Sequence, residues 1–465
     1  MIFEGTTVLV LGLARSGAAA ANLLANNGAK VVINDHKEES ELDARAIKEA
    51  SLPGVEIILG EHPRDLFKRW SFDYVVKSPG ILPSHPLIQK ARELGIAVLS
   101  EVEVAYQLTK GQIIGITGTN GKTTTTSLVK EILDLHYPEV YMAGNIGTPL
   151  CKVAAEASSE AFIVAELSSF QLDDIVSFRP IIAVILNITP DHLDYHGSME
   201  NYKNAKLNIL RNQKEKDYSV LNLDDPLVAS AAAWAKGILF PFALSGVESK
   251  GCGVEKDTIV IRNGSEVFEL CSPAELKICG LHNLENALAA AAATYAAGVP
   301  PEKIAAGLRQ FSAVAHRLEF IATIKGVKFY NDSKATNPVS AEKALQAIKG
   351  RKVLIAGGKE KGSDFKGLAK KFPSELSNLV LLGEAADKIA AAAEAAGFSS
   401  WEKVESIPMA VERAFQLARP GETVLLSPAC ASWDMFNSYE ERGDLFKKCV
   451  NELKERLENE KGSFS

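Results

Sequence analysis

Short apolar, β-branched runs alternate with stretches of helical period along most of the chain. Before residue 103 this pattern predicts strands at Val8–Leu11, Val31–Asn34, Val55–Leu59, Tyr74–Lys77 and Ala97–Leu99. Strands that alternate with helices argue for a parallel sheet. A second block opens at Gln112–Thr117 and continues with strands at Ala161–Leu167 and Ile181–Asn187. Between about residues 237 and 280 the pattern changes. Thr258–Arg262, then Asn263-Gly264, then Glu266–Cys271 reads as a β-hairpin with Asn-Gly as its turn. A long helix beginning near Asn283, rich in alanine from Ala287 to Ala297, closes this block. The third block starts near Ala315. Val327–Asp332, Lys352–Ala356, Leu379–Leu382 and Thr423–Leu426 are its predicted strands, Glu384–Ala396 one of its helices, and the tail from Leu445 a charged helix.

The most specific local signal sits where the second block begins. The apolar strand Ile113–Thr117 runs into Gly118-Thr119-Asn120-Gly121-Lys122-Thr123-Thr124, and an apolar-periodic helix, Ser127 to Leu135, follows. Nucleotide phosphates need this arrangement. Glycines let backbone N–H groups turn toward an anion, and the helix N-terminus adds its positive end. Lys122 would reach the β- and γ-phosphates and Thr123 would hold Mg²⁺. The match to G-x-x-x-x-G-K-[ST] is imperfect, because Ile116 stands where the pattern wants glycine. Glu166, at the end of the strand before Leu167-Ser168-Ser169, can supply a hard oxygen ligand to Mg²⁺ or simply face solvent. For Asp191-His192-Leu193-Asp194 the residues themselves favour a capped turn with a satisfied histidine over a metal or phosphate site.

Taken together, these segments resemble the bacterial Mur ligases, which build the peptide of peptidoglycan. The resemblance rests on the Gly118–Thr124 loop, Gly144-Asn145-Ile146-Gly147, Glu166–Gln171, Asp191-His192 and Tyr202–Lys206. It continues through His282–Asn286, His316-Arg317, Asn331–Asn337 and Ser427–Ser432, in order over nearly the whole chain. The last two segments point to a member that adds D-glutamate. The resemblance implies an α/β protein of three domains. These are a Rossmann-like N-terminal domain for a UDP substrate (1–103), a central P-loop ATPase domain with a mostly parallel sheet plus a small β-rich part (104–314), and a Rossmann-like C-terminal domain (315–465) that closes over both and binds the amino acid.

The residue roles that follow are likewise implied by resemblance. Gly118, Thr119, Asn120, Gly121, Lys122, Thr123 and Thr124 would bind ATP. Asn283 and Asn286, on one helix face, would meet adenine or ribose, and Asp332 the ribose. Arg317 would neutralise the transferred phosphoryl group, and Lys334 and Thr336 would touch the reacting ends. Two Mg²⁺ sites would draw on Thr123, Glu166, His192 and Lys206, the last as a carbamate that makes an ammonium into an anionic oxygen ligand. Catalysis would fall to Lys122, His192, Lys206, Arg317 and Lys334. Ser16, Asp35, His36, Lys37, Ser78 and Gly80 occupy the positions for the uracil nucleotide, and Asn145 binds substrate. Lys361, Ser432 and Tyr439 would serve the incoming D-glutamate. The implied substrates are UDP-N-acetylmuramoyl-L-alanine, D-glutamate and ATP, joined through an acyl phosphate.

Composition narrows the alternatives. The 465 residues exceed one ordinary domain, and 46% hydrophobic with 23% charged residues suits full cores. A net charge of −7 argues against a nucleic-acid surface. No signal-like or membrane-spanning stretch is read, and the six cysteines form no C-x-x-C pair, so a cytoplasmic protein with reduced thiols is expected. A monomer is the expected state, although the residues themselves leave the oligomeric state open. Three other readings stay open. A sibling ligase or folate polyglutamylase would share the nucleotide site. A regulatory switch would hydrolyse ATP slowly without a product. A dehydrogenase would use Gly12-Leu13-Ala14-Arg15-Ser16-Gly17, although Ala14 replaces the second glycine of G-x-G-x-x-G.

Overall fold

The alternating pattern folds as alternating strands and helices. The computed structural model describes residues 2–60, 65–278, 280–312, 315–360 and 362–462, with backbone alone at 194 and 459–462. It forms two compact units, residues 1–276 with 282–311, and 277–281 with 312–465.

The first unit opens with a five-stranded parallel sheet in the order Val55–Ile58, Lys30–Asn34, Thr7–Leu11, Tyr74–Lys77, Ala97–Ser100. Strand order reverses beside Thr7–Leu11, so the segments after Leu11, Asn34 and Lys77 emerge together at the carboxyl edge, where α/β sheets bind ligands. A second parallel sheet runs Ile238–Leu239, Tyr218–Leu221, Ile182–Ile185, Gln112–Thr117, Phe162–Glu166, Val140–Gly144. Its central strand Gln112–Thr117 lies between Ile182–Ile185 and Phe162–Glu166. Three strand ends therefore deliver Gly118, Leu186 and Glu166 to one edge.

A third, smaller sheet contains the expected hairpin, Thr258–Asn263 against Glu266–Cys271, with Lys250–Glu255 antiparallel beside it. The helix Leu281–Ala296 does not end the unit. A further helix, Pro301–Gln310, follows and lays Gly307 so close to Ile132 that a Cβ would fall 2.5 Å from Ile132 Cγ1. The second unit carries a six-stranded sheet in the order Glu319–Ile324, Val327–Asn331, Thr423–Leu426, Lys352–Gly357, Leu376–Leu382, Trp401–Lys403. Glu319–Ile324 pairs antiparallel and the rest pair in parallel. The helix Tyr439–Gly462 buries Phe446, Val450 and Leu453 against one face.

The first two sheets share one core. Val102, Val104 and Ala105 on the helix Glu101–Leu108 pack in the same apolar cluster as Leu150, Cys151 and Ala154 of Leu150–Glu156. Two buried carboxylates pin this junction. Glu103 accepts the amides of Val176, Ser177 and Phe178, each at 2.9 Å. Glu101, 1% exposed, accepts the Cys151 amide at 2.5 Å through Oε1, while its Oε2 has no hydrogen-bond partner among the described residues. Cys151, Cys252, Cys271, Cys430 and Cys449 are free thiols.

Burial pushes the Glu101 carboxyl up to about 7, against the pull of its bonds to Cys151. A raised carboxyl contributes stability that is full below its unfolded value near 4.5 and is lost as pH rises through 7. Wild type should therefore lose on the order of 3 kcal/mol more than Glu101→Gln between about pH 4.5 and 8. Urea unfolding of the two proteins across this range measures it; parallel curves would refute the assignment.

Candidate nucleotide and metal site

The phosphate loop follows the central strand because glycines allow a bend that other residues resist. Gly121 has φ +85°, and a Cβ there would sit 2.2 Å from Asn286 Oδ1. The helix Lys122–Asp134 starts directly after it, with no side chain capping its N-terminus. An anion is a suitable partner for such an end. The loop is held from behind by the segment after Ile182–Ile185. Asn187 Oδ1 accepts the Asn120 amide at 2.8 Å, and Asn187 Nδ2 donates to the Asn120 carbonyl at 3.1 Å. The Thr119 hydroxyl lies 3.0 Å from the Tyr202 hydroxyl and donates to the Thr189 carbonyl at 3.1 Å. Thr123 and Thr124 are buried in the first helical turn.

Two lysines converge on this loop. Lys122 Nζ donates to the carbonyls of Gly118 and Thr119, both at 2.9 Å. Lys206 Nζ, on the helix Met199–Leu207, donates to the same Gly118 carbonyl at 2.8 Å. Lys206 is 2% exposed. Burial, then the Lys122 charge, holds its amine well below the ordinary lysine range, and Asp191 only partly opposes this.

Glu166, 3% exposed, ends the neighbouring strand. Its Oε1 accepts from Asn145 Nδ2 at 2.9 Å, and its buried Oε2 has no hydrogen-bond partner among the described residues. An orphaned carboxylate oxygen suits a hard cation, so this residue fits Mg²⁺. Among the described residues no three His, Cys, Asp or Glu side chains gather as a metal cage. Mg²⁺ suits that pattern, since it keeps waters and takes phosphate oxygens rather than an all-protein shell. His192 is exposed and left-handed at φ 50°, with its ring 4.8 Å from Phe170 and 6.5 Å from Tyr202. Asn286 Nδ2 donates to Asn283 Oδ1 at 3.2 Å and Thr125 donates to Asn286 at 3.3 Å, so this pair packs against the phosphate-loop helix.

At the edge of the first sheet, Asp35 closes two turns. It accepts the amides of Leu13 at 2.7 Å and Lys37 at 3.0 Å, and His36 Nδ1 lies 3.4 Å away. The Ser78 hydroxyl donates to the Gly12 carbonyl at 3.0 Å, and a Cβ on Gly17 would meet that carbonyl oxygen at 1.9 Å. Ser16 lies in the first turn of the adjoining helix Arg15–Asn26, and Gly80 is exposed on the Ser78–Ile81 turn.

The second unit brings its own residues together. Thr336, Ser432 and Tyr439 line a cavity of about 260 Å³ with Ala431, Trp433 and Ser438. Lys334 Nζ lies 5.6 Å from the centre of the Tyr439 ring. Asp332 accepts from Ser427 Oγ at 2.8 Å and the Leu318 amide at 3.2 Å, and burial pushes its carboxyl up to about 7. Arg317 Nε is buried without a hydrogen-bond partner among the described residues. Lys359 pairs with Glu384 at 2.8 Å. Lys361 lies outside the described residues.

Family models divide the chain into three matched segments. Residues 6–100 match the Mur ligase MurD-like N-terminal domain, 116–294 the Mur ligase middle domain, and 316–430 the Mur ligase glutamate ligase domain. The chain belongs to the Mur ligase family. A UDP-N-acetylmuramoylalanine–D-glutamate ligase of Geobacillus kaustophilus is 47% identical to this Mur ligase over 97% of the chain and 99% of its own length. The enzyme so named in Caldanaerobacter subterraneus is 46% identical over 96% and 98%. Among solved structures, the UDP-N-acetylmuramate-alanine ligase MurC of Thermotoga maritima shares the fold, with TM-score 0.59, 20% identity and coverage of 97% and 100%. So does a pseudomurein peptide ligase type C of Methanothermus fervidus, with TM-score 0.56, 20% identity and the same coverage.

Sequence reasoning singled out the contiguous phosphate loop. It gave no role to Asn187 as the clasp on Asn120, to Tyr202 as the partner of Thr119, or to Lys77. Asn187 and Tyr202 stand inside segments that were already conspicuous. Lys77 had only its unusual place at the end of an apolar strand to mark it.

Proposed function

We propose that this Mur ligase adds D-glutamate to UDP-N-acetylmuramoyl-L-alanine at the expense of ATP, in peptidoglycan precursor synthesis. The observation that carries the reading is near-full-length likeness, at 43–47% identity, to relatives named for that reaction. The phosphate loop and the orphaned Glu166 oxygen support it chemically. In this reading the three domains meet near residues 103 and 314 and bind the UDP moiety, ATP and the amino acid in that order. The enzyme acts as a monomer in the cytoplasm, where ATP and UDP-linked precursors are available.

A carboxylate does not condense with an ammonium ion in neutral water. The substrate carboxylate attacks the γ-phosphorus in line, the bond to the β,γ-bridging oxygen breaks, and ADP leaves. The D-glutamate amine then attacks the acyl carbon and expels phosphate. Gly118–Thr124 hold the triphosphate, Lys122 and Arg317 neutralise charge on the moving phosphoryl group, and Asn283, Asn286 and Asp332 hold the nucleoside. Thr123, Glu166, His192 and carbamylated Lys206 would hold two Mg²⁺, which supply further charge neutralisation. Ser16, Asp35, His36, Lys37, Ser78 and Gly80 hold the uracil nucleotide, and Asn145 holds the substrate. Lys334, Thr336, Lys361, Ser432 and Tyr439 hold the reacting ends and D-glutamate.

Phosphate release with ATP, UDP-N-acetylmuramoyl-L-alanine and single amino acids tests this. D-glutamate should stimulate release, while L-glutamate and L-alanine should not. Stimulation by L-alanine or a diamino acid instead would make the protein a sibling ligase. Slow hydrolysis indifferent to every amino acid would make it a switch.

A further inference from the structure

Lys77 ends the strand Tyr74–Lys77, yet its side chain is only 1% exposed. Three oxygens from three separate elements surround its ammonium. Asp174 Oδ2, just past the helix Ser169–Asp173, lies 3.0 Å away as an ion-pair partner. The Tyr195 hydroxyl, on the turn that begins at His192, lies at 2.6 Å. The Ile81 carbonyl, at the far end of the Ser78-Pro79-Gly80 turn, lies at 3.3 Å. The Tyr195 hydroxyl and the Ile81 carbonyl are its hydrogen-bond partners, while Asp174 Oδ2 is held by charge and has no hydrogen-bond partner among the described residues. Asp174 is fixed in turn by Arg92 at 3.1 Å, and its carbonyl accepts the Ser100 amide at 3.0 Å.

Beyond Tyr195 the contacts continue to the phosphate loop. The Tyr195 ring packs 4.4 Å from Phe170 and 4.7 Å from His196. Phe170 lies 4.8 Å from the His192 ring, and His196 lies 5.4 Å from Tyr202. Tyr202 reaches the Thr119 hydroxyl, and Lys206 Nζ sits 4.7 Å from the Tyr202 ring centre. A displaced 78–81 turn moves the Ile81 carbonyl. A buried ammonium cannot then keep all three partners without shifting Tyr195, because leaving the charge short of a partner is costly.

We propose that Lys77 is a positioning residue that links occupation of the uracil-nucleotide turn to the phosphate and metal loops through Tyr195 and Asp174. This rests on the ligase reading above. Binding at one site then strengthens binding at the other by the same factor. For wild type, saturating UDP-N-acetylmuramoyl-L-alanine should tighten the Kd of a non-hydrolysable ATP analogue with Mg²⁺ by about 5- to 10-fold.

Calorimetry of the full chain with the two ligands, alone and together, tests this on wild type, Lys77→Met and Tyr195→Phe. Both variants should bind the ATP analogue alone within about 2-fold of wild type, which also shows that they fold, while the linkage drops below about 2-fold. Tyr195→Phe removes one hydroxyl and keeps the aromatic packing, so it remains informative if Lys77→Met fails to fold. Linkage that survives in Tyr195→Phe, or wild-type binding of both ligands without linkage, would overturn this inference alone. Wild type that binds neither ligand would overturn the ligase reading and this inference with it.

Discussion

Lys122→Ala should lower kcat by at least about 10²-fold, the scale for losing one charge-stabilising donor in an active site. The side chain is stored where it is needed. Its ammonium rests on the Gly118 and Thr119 carbonyls, inside the curve of the loop it follows. Phosphate oxygens are stronger acceptors than these carbonyls and would draw the ammonium off them. Because charge on the γ-phosphoryl oxygens and the leaving bridge grows during transfer, the loss should fall on kcat as well as on KM for ATP. Lys122→Arg should also be impaired, because a planar fork cannot place its charge where a compact ammonium stands. Steady-state phosphate release measures both variants. Turnover of Lys122→Ala close to wild type would remove this residue from the chemistry.

Contiguity decided what could be read from the chain. Tyr74–Lys77, Gln112–Thr117 and Thr423–Leu426 are continuous apolar runs, buried on both faces at sheet centres, and their limits could be read directly. Val140–Gly144 and Trp401–Lys403 escaped because they are sheet edges with little full burial. Lys250–Glu255 carries two glycines, which mask its strand character. Leu376–Leu382 begins before the expected Leu379, since Leu376 and Ser377 alternate in burial and give no continuous run.

The same distinction governs the site. The phosphate loop is one segment with its own pattern. The bond from Lys77 to Tyr195 spans 118 residues, and no local period could announce it. Asp191-His192 illustrates a middle case. Its residues favoured a turn capped by Asp191 with a satisfied histidine, whereas a short helical turn starts at exposed, left-handed His192 and no side chain among the described residues caps it. The metal role proposed for His192 is implied by resemblance rather than by the turn itself.

Lys206→Ala should lose activity by a factor comparable to Lys122→Ala, at least about 10²-fold, and a short-chain carboxylate such as acetate should restore part of it. The local geometry makes this lysine a poor cation. Its nitrogen shares the Gly118 carbonyl with Lys122, and burial adds to the repulsion between the two ammonium groups. A neutral amine relieves both. Its lone pair can attack CO₂, forming a nitrogen–carbon bond while one C=O electron pair moves to oxygen and an N–H proton leaves to water. The carbamate so formed is an anion beside Lys122, and its oxygens are of the type Mg²⁺ accepts. Acetate entering the space left by alanine would return an anionic oxygen to the same place without the covalent tether. Full activity of Lys206→Ala with no supplement would refute the carbamate role, whereas a deep loss that acetate relieves in a saturable way would assign the missing function to a carboxylate.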